Sequence, residues 1–255
     1  SRRGRRSRAL RAAVRTAVAG VLLASLGLGT SASVASTGFG DPGWRQVWSD
    51  EFSGRAGQLP SRATWLIDTG HGYPGGADQW GTGELEAATA DPANVSLNGR
   101  GQLRLTARRN SAGGWTSARV ETRRSDYAPP AGGSVRFSAR IQLPDGGQGY
   151  WPAFWALGAP FRPGHTDWPG AGEVDVLETI DGQRTVHGTL HCGVVQSGGP
   201  CHEDTGLTGT YRLADPGGFH LYSLVWSDRN KTLTWSVDDH PYWSVSATDA
   251  GAATW

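Results

Sequence analysis

The sequence of 255 residues has no methionine, one lysine and two cysteines. Beyond its first 35 residues it also lacks any sustained apolar period of 3.6 residues, the signature of amphipathic helices. Its 38 glycines and 14 prolines disfavour long helices, so a helical bundle is excluded. The 12 tryptophans and the 37% of hydrophobic residues suffice to fill a core, which argues against intrinsic disorder.

Long hydrophobic runs are missing too, apart from one near the N-terminus. Residues 1–15 hold seven arginines and no acid, residues 17–28 are apolar, and small residues follow as far as Ala35. This order is typical of a signal peptide, and the run is shorter than the ~20 residues that span a bilayer. We predict a signal peptide over 1–35, one domain over 36–255, and a secreted, extracellular protein that leaves the membrane after cleavage. A membrane anchor is the alternative.

Basic charge is scarce outside that leader. Residues 16–255 carry 17 basic and 23 acidic side chains, a net charge of −6, which excludes nucleic acid as a partner. We expect a monomer. In an oxidising compartment the two cysteines, Cys192 and Cys201, are expected to form a disulfide. A metal site is disfavoured, because the neighbouring His191 and His202 lack the close spacing of metal-binding pairs.

Short segments alternate between apolar and polar residues along the whole domain. Such alternation, rich in β-branched and aromatic residues and separated by glycine- and proline-containing turns, is typical of half-buried strands. We predict strands within 44–48, 103–107, 118–122, 135–141, 221–226 and 232–237. Strands at this spacing favour an all-β sandwich of two antiparallel sheets.

One predicted strand, residues 172–179, carries three carboxylates. Alternation places Glu173 and Asp175 on one face and the intervening valines in the core. Glu178 breaks the alternation, and a one-residue β-bulge near 176–177 would return it to the acidic face. Two glutamates that lean together to about 5.5 Å can act as nucleophile and acid/base of a retaining glycosidase. Asp175 between them could share a proton with Glu173. Two alternatives explain the same three carboxylates: a charged strand exposed to solvent, or a calcium site.

Aromatic and histidine side chains accompany this strand. Trp151 and Trp155 would share one face if their segment is a strand, and Trp168 precedes Glu173 by five residues. Flat indole rings stack on the apolar faces of sugars, although core packing is the usual role of a single tryptophan. His191 ends a neighbouring predicted strand, where it could hydrogen-bond to substrate or to an acid.

In this order the motifs resemble glycoside hydrolase family 16, and within it the laminarinase-like endo-β-1,3-glucanases. The resemblance is carried by residues 47–52, 79–86, 94–95, 116–122, 149–158, 172–178 and 187–191. It implies a concanavalin A-like β-jelly-roll with a concave substrate cleft. It also implies that Glu173 is the nucleophile, Asp175 the assisting acid and Glu178 the acid/base, in the bulged form of the motif.

The same resemblance implies a set of substrate-binding residues along the cleft. These are Trp151, Trp155, Trp168, His191, Arg119, Glu121, Trp80 and Glu84. No cofactor is implied. Some relatives hold a structural calcium ion through a residue like Glu51. Relatives also continue beyond the equivalent of Trp255 with one more strand for each sheet, so we expect the printed chain alone to lack these C-terminal strands and to be unstable or inactive.

The predicted function is therefore retaining endo-hydrolysis of β-1,3-glucan, with a polysaccharide as the partner. A β-galactan hydrolase of the same family is one alternative. Another is a glucan-binding module without activity. Such relatives lose one or both catalytic glutamates, whereas Glu173 and Glu178 are both present in this sequence. A structural wall protein, which would turn over no glucan, is the third.

Overall fold

The computed structural model describes residues 43–194 and 198–251, and these form an almost entirely β structure. Two 3₁₀ turns (Asp78–Gly81 and Ala159–Phe161) and one helical turn, α1 (Ala247–Ala250), are its described helices. The strands are β1 Trp65–Asp68, β2 Ala87–Ala88, β3 Val95–Leu97, β4 Leu103–Leu105, β5 Arg108–Arg109, β6 Trp115–Ser117, β7 Arg119–Thr122, β8 Ser134–Gln142, β9 Ala153–Leu157, β10 Glu173–Glu178, β11 Thr185–His191, β12 Leu207–Arg212, β13 Phe219–Ser227, β14 Thr232–Val237 and β15 His240–Ser246.

Two antiparallel four-stranded sheets make up the sandwich. One has the order β12-β11-β10-β9 and contains the acidic strand, and the other has the order β15-β14-β13-β8. The short strands pair separately, as β1 with β7, β3 with β4, and β2 with β6 and β5. The predicted jelly-roll sandwich is confirmed, and five of the six alternating segments contain strands.

The core lies between the two large sheets and depends on a close approach of tryptophans to glycines. Gly188 and Gly209 are paired across β11 and β12, and Trp235 and Trp243 are paired across β14 and β15. A Cβ atom on Gly188 would lie 2.5 Å from Trp235 Cδ1, and one on Gly209 would lie 2.1 Å from Trp243 Cγ. The paired glycines therefore make the recess that both indoles fill. Trp235 is fully buried there.

The strand predicted within residues 44–48 is wrong. The described residues 43–49 contain no strand, and Trp44, Val47 and Trp48 are all exposed, so the alternation does not mark one buried face. Alternation alone does not make a strand, because it carries no information on which backbone segment would pair with this one. The predicted signal peptide lies outside the described residues. None of the described helices has the length and apolarity needed to cross a membrane.

The glycine recess yields a stability prediction. Gly188→Ala should lower the free energy of unfolding by roughly 1–3 kcal/mol, because the added methyl group overlaps the Trp235 ring. Gly147→Ala is the matched control, since a Cβ there meets no atom within 4 Å. Urea denaturation of both variants measures the difference. Equal stability of the two would contradict the close sheet packing described here.

Candidate active site

A β-bulge places the three carboxylates of β10 on one face. Against β9, Asp175 lies opposite Trp155 and Leu177 lies opposite Phe154, so one strand holds an extra residue. The register against β11 shifts over the same stretch. Because one residue is inserted, Glu178 returns to the face of Glu173 and Asp175. The bulge expected from the sequence is confirmed.

The core side of the bulge is tightly buried. Val176 and Leu177 are each 1% exposed, although they are consecutive in the strand. The Trp235 indole Nε1 reaches across from the other sheet and donates a 2.7 Å hydrogen bond to the backbone carbonyl of Asp175. The core side chains and the Trp235 hydrogen bond therefore hold the bulged backbone in place.

Each glutamate of the strand accepts a hydrogen bond from a tryptophan. Trp168 Nε1 lies 2.6 Å from Glu173 Oε2, and Trp151 Nε1 lies 2.8 Å from Glu178 Oε1. Trp151 does not share a strand face with Trp155, because β9 begins only at Ala153. It is instead a loop residue, 47% exposed, at the Glu178 end of the site. The two indoles, one bonded to each glutamate, fix the direction in which both carboxylates point.

Burial dominates the electrostatics of these acids. It raises the pKa of Glu173, against the hydrogen bond from Trp168 and the nearby His191. Burial also raises the pKa of Asp175 to about 9, and the charges of Glu173, Glu178 and Glu203 act in the same direction. Asp175 consequently holds a proton at neutral pH, and the site carries less negative charge than its three carboxyl groups suggest.

Three other predicted substrate-binding residues, Trp80, Trp155 and Glu84, meet around Arg119. Its guanidinium carbon lies 4.3 Å from the centre of the Trp80 ring and 4.8 Å from that of Trp155. Its Nη1 lies 3.4 Å from Glu84 Oε1. The group thus combines flat aromatic surfaces with half-buried hydrogen-bonding groups, the usual composition of a sugar-binding surface.

Glu121 belongs to a neighbouring polar group that sequence reasoning missed in part. Arg162 Nη2 donates to Glu121 Oε2 at 2.9 Å, and Asp68 lies opposite Arg119 in the β1–β7 register. Burial and the charge of Glu121 raise the pKa of Asp68 to about 6. Neither Asp68 nor Arg162 lies in a predicted strand, and no pattern in the sequence pointed to either residue.

His191 connects the acidic strand to the disulfide. Its Nε2 lies 3.5 Å from Asp175 Oδ2, and its Nδ1 lies 2.7 Å from Glu203 Oε2. The predicted Cys192–Cys201 disulfide is present, with 5.5 Å between its Cα atoms. Sequence reasoning missed Glu203, since only the folded loop brings it to the histidine.

Glu51, the predicted calcium ligand, is exposed. Within 43–194 and 198–251, no three histidine, cysteine, aspartate or glutamate side chains are grouped so as to hold a metal ion. The calcium prediction therefore gains no support from these residues.

Comparison with known proteins decides the family. The endo-1,3-beta-glucanase of Streptomyces sioyaensis superposes with a TM-score of 0.81 at 46% identity, covering 84% of this chain and 80% of that one. A family model described as "XgeA-like, catalytic GH16 domain" matches residues 93–210. The chain belongs to glycoside hydrolase family 16. The match to the family model includes β10, β11 and the disulfide.

Two further relatives are more distant. The endo-beta-1,3-glucanase of Pyrococcus furiosus is 32% identical, with a TM-score of 0.63 over 82% of this chain and 77% of that one. The beta-glucanase of Rhodothermus marinus is 33% identical over 212 residues, which are 79% of this chain. The chain spans 65% of the length of that curated relative.

Because the pKa of Asp175 is raised, replacing this residue with asparagine is predicted to stabilise the protein, by an amount that grows as the pH rises. Between pH 3.8 and about 9 the folded protein holds a proton that the unfolded chain has released, so the free energy of unfolding falls as pH rises. The asparagine side chain of the Asp175→Asn variant cannot ionise, so the variant does not show this decrease in the free energy of unfolding. Its melting temperature should match that of the parent near pH 4 and exceed it increasingly toward pH 8.

Thermal melts at several pH values measure this gain. Asp126→Asn, at an exposed aspartate, is the control and should show no growing gain. A melting temperature that falls at pH 8 in Asp175→Asn would mean that the folded site prefers an ionised Asp175.

Proposed function

We propose that the chain is a secreted, retaining endo-glycosidase that hydrolyses β-1,3-glucan of the laminarin type. The observation that carries the proposal is the bulge in β10, which sets Glu173 and Glu178 on one face of a family-16 fold. The endo-1,3-beta-glucanase relatives support the choice of glucan. Secretion rests on the leader-like sequence of residues 1–35.

Glu173 is the nucleophile of the proposed reaction. Its carboxylate attacks the anomeric carbon, while Glu178 gives its proton to the oxygen of the departing sugar. The Trp168 indole stabilises Glu173 in its ionised form, which opposes the effect of burial. The proton held by Asp175 removes a negative charge that would otherwise repel the nucleophile.

Glu178 then changes role in the second step. It takes a proton from water, whose oxygen attacks the anomeric carbon and releases Glu173. Two inversions give net retention of the anomeric configuration. Trp151 holds Glu178 at the exposed end of the site, where the first product leaves and water enters. This two-carboxylate mechanism needs no cofactor.

Sugar rings on the nucleophile side are proposed to lie against the Arg119 group. Arg119 is held between Trp80 and Trp155 and so presents its donors in a fixed direction. Removing this rigid surface should cost binding and orientation together.

The two glutamates are tested by separate substitutions in the protein expressed from its complete gene. Glu173→Gln and Glu178→Gln should each lower kcat on laminarin by about two to four orders of magnitude or more, because each removes one chemical role. Laminarin binding should persist in both. Asp126→Asn, in an exposed loop, is the control and should keep full activity.

An aryl glucoside with an acidic phenol separates the two roles. Such a leaving group needs no proton, so Glu178→Gln should form the glycosyl-enzyme at nearly the parent rate, whereas Glu173→Gln should not. A stopped-flow burst of phenol measures this step. Equal loss of the burst in both variants would contradict the assigned roles.

Product analysis tests the mechanism and the substrate. NMR of freshly released laminarin products should show the β-anomer first, and net inversion would exclude double displacement. Lichenan, agar and 1,3-galactan, assayed in parallel, distinguish the glucanase from a galactan hydrolase. Binding without turnover of any polysaccharide would identify a glucan-binding module.

A further inference from the structure

Glu203 is a buried acid that the mechanism above does not use. It follows the disulfide loop by two residues, and its side chain is 0% exposed. A buried carboxylate is costly unless hydrogen bonds compensate the loss of water. Its two oxygens show where that compensation comes from.

Both carboxylate oxygens of Glu203 have a partner from one short segment. Oε1 accepts a 3.0 Å hydrogen bond from the backbone N–H of Cys192, and Oε2 lies 2.7 Å from His191 Nδ1. A carboxylate oxygen is ordinarily a hydrogen-bond acceptor, so we infer that the hydrogen of this bond lies on His191 Nδ1. The other ring nitrogen, Nε2, is then the atom that faces Asp175 Oδ2 at 3.5 Å.

The position of the His191 ring is fixed by packing as well. A Cβ atom on Gly206 would lie 3.0 Å from both Nδ1 and Cε1 of the ring, so the glycine backbone rests against it. The Trp168 ring, whose indole binds Glu173, lies 5.4 Å from the imidazole on another side. These contacts hold the plane of the ring, and the hydrogen bond between Nδ1 and Glu203 selects which nitrogen faces Asp175.

We propose that Glu203 is a positioning residue of the catalytic centre, which holds His191 with its hydrogen on Nδ1 and so presents Nε2, as an acceptor, to the Asp175 carboxyl group. The Cys192–Cys201 disulfide keeps Glu203 in place, because it joins the residue that donates to Oε1 to the residue two before Glu203. The proposal deepens the function proposed above and rests on it.

The charged groups around His191 make the direction of the effect clear. Glu173, Asp175 and Glu178 face the ring region from β10, and Glu203 faces it from the loop after Cys201. Arg119 is the cation that acts on Glu173 from β7. The charge of Glu203 helps to raise the pKa of Asp175, so its loss should let Asp175 release its proton at a lower pH.

Glu203→Gln tests the proposal because glutamine has nearly the same shape but one donor group. Its amide oxygen can still accept from Cys192 N–H, and its NH₂ then faces Nδ1, which must become an acceptor. The His191 tautomer should therefore switch to Nε2–H. We expect kcat on laminarin to fall about 10- to 100-fold with KM within twofold, in line with the loss of an orienting partner. The basic limb of the pH profile should move to lower pH.

Asp204→Asn is the matched control. It removes the neighbouring carboxylate, which is exposed, and should leave kcat, the pH profile and the tautomer unchanged. A Cys192→Ser/Cys201→Ser double variant should lose kcat in the same direction as Glu203→Gln. Full kcat in the double variant would remove the disulfide from the proposal.

Imidazole ¹⁵N shifts of the wild-type protein give a readout that needs neither activity nor a folded variant. A protonated Nδ1 of His191 at neutral pH supports the proposal, and a hydrogen on Nε2 alone overturns it. Unchanged kinetics in a folded Glu203→Gln variant would also overturn it while leaving the glucanase proposal intact. A wild-type protein without turnover of any glucan would instead refute the proposed function.

Discussion

The hydrogen bond from the Trp235 indole to the Asp175 carbonyl is the interaction on which the site depends. The bulge interrupts the regular ladder of β10, and buried carbonyls there still need donors. Trp235 supplies one from the opposite sheet, and it reaches that carbonyl because Gly188 leaves room for its ring. Core packing and the direction of Glu178 are therefore two consequences of one arrangement, since without the inserted residue Glu178 would point into the core.

Three carboxyl groups on one strand face would repel one another and resist burial. The structure reduces this cost in two ways: Asp175 keeps a proton, and two indoles and one imidazole lie beside the acids. The cation that acts on Glu173 is Arg119, which comes from β7 and not from the acidic strand. Each indole N–H fixes the direction of its carboxylate without adding a net charge to the site.

Local patterns predicted the parts of the site that lie within one strand. The alternation broken at Glu178 indicated a bulge, and the two cysteines indicated a disulfide. Contacts between distant segments were out of reach, because alternation carries no information on which strands pair. Asp68, Arg162 and Glu203 acquire their roles only from such contacts. Residues 44–48 show the converse error, since a strand-like pattern there has no strand.

The two ends of the site differ in how closely their residues are confined, and the difference suits the proposed two-step reaction. On one side Arg119 is confined by Trp80, Trp155 and Glu84, so a sugar bound there would be held through both steps. On the other side Trp151 is exposed and comes from a loop before β9. A glycosyl-enzyme must keep one sugar in place while the leaving sugar is exchanged for water. An asymmetric site meets both needs, because the confined end orients the retained sugar ring and the exposed end allows the leaving sugar to dissociate.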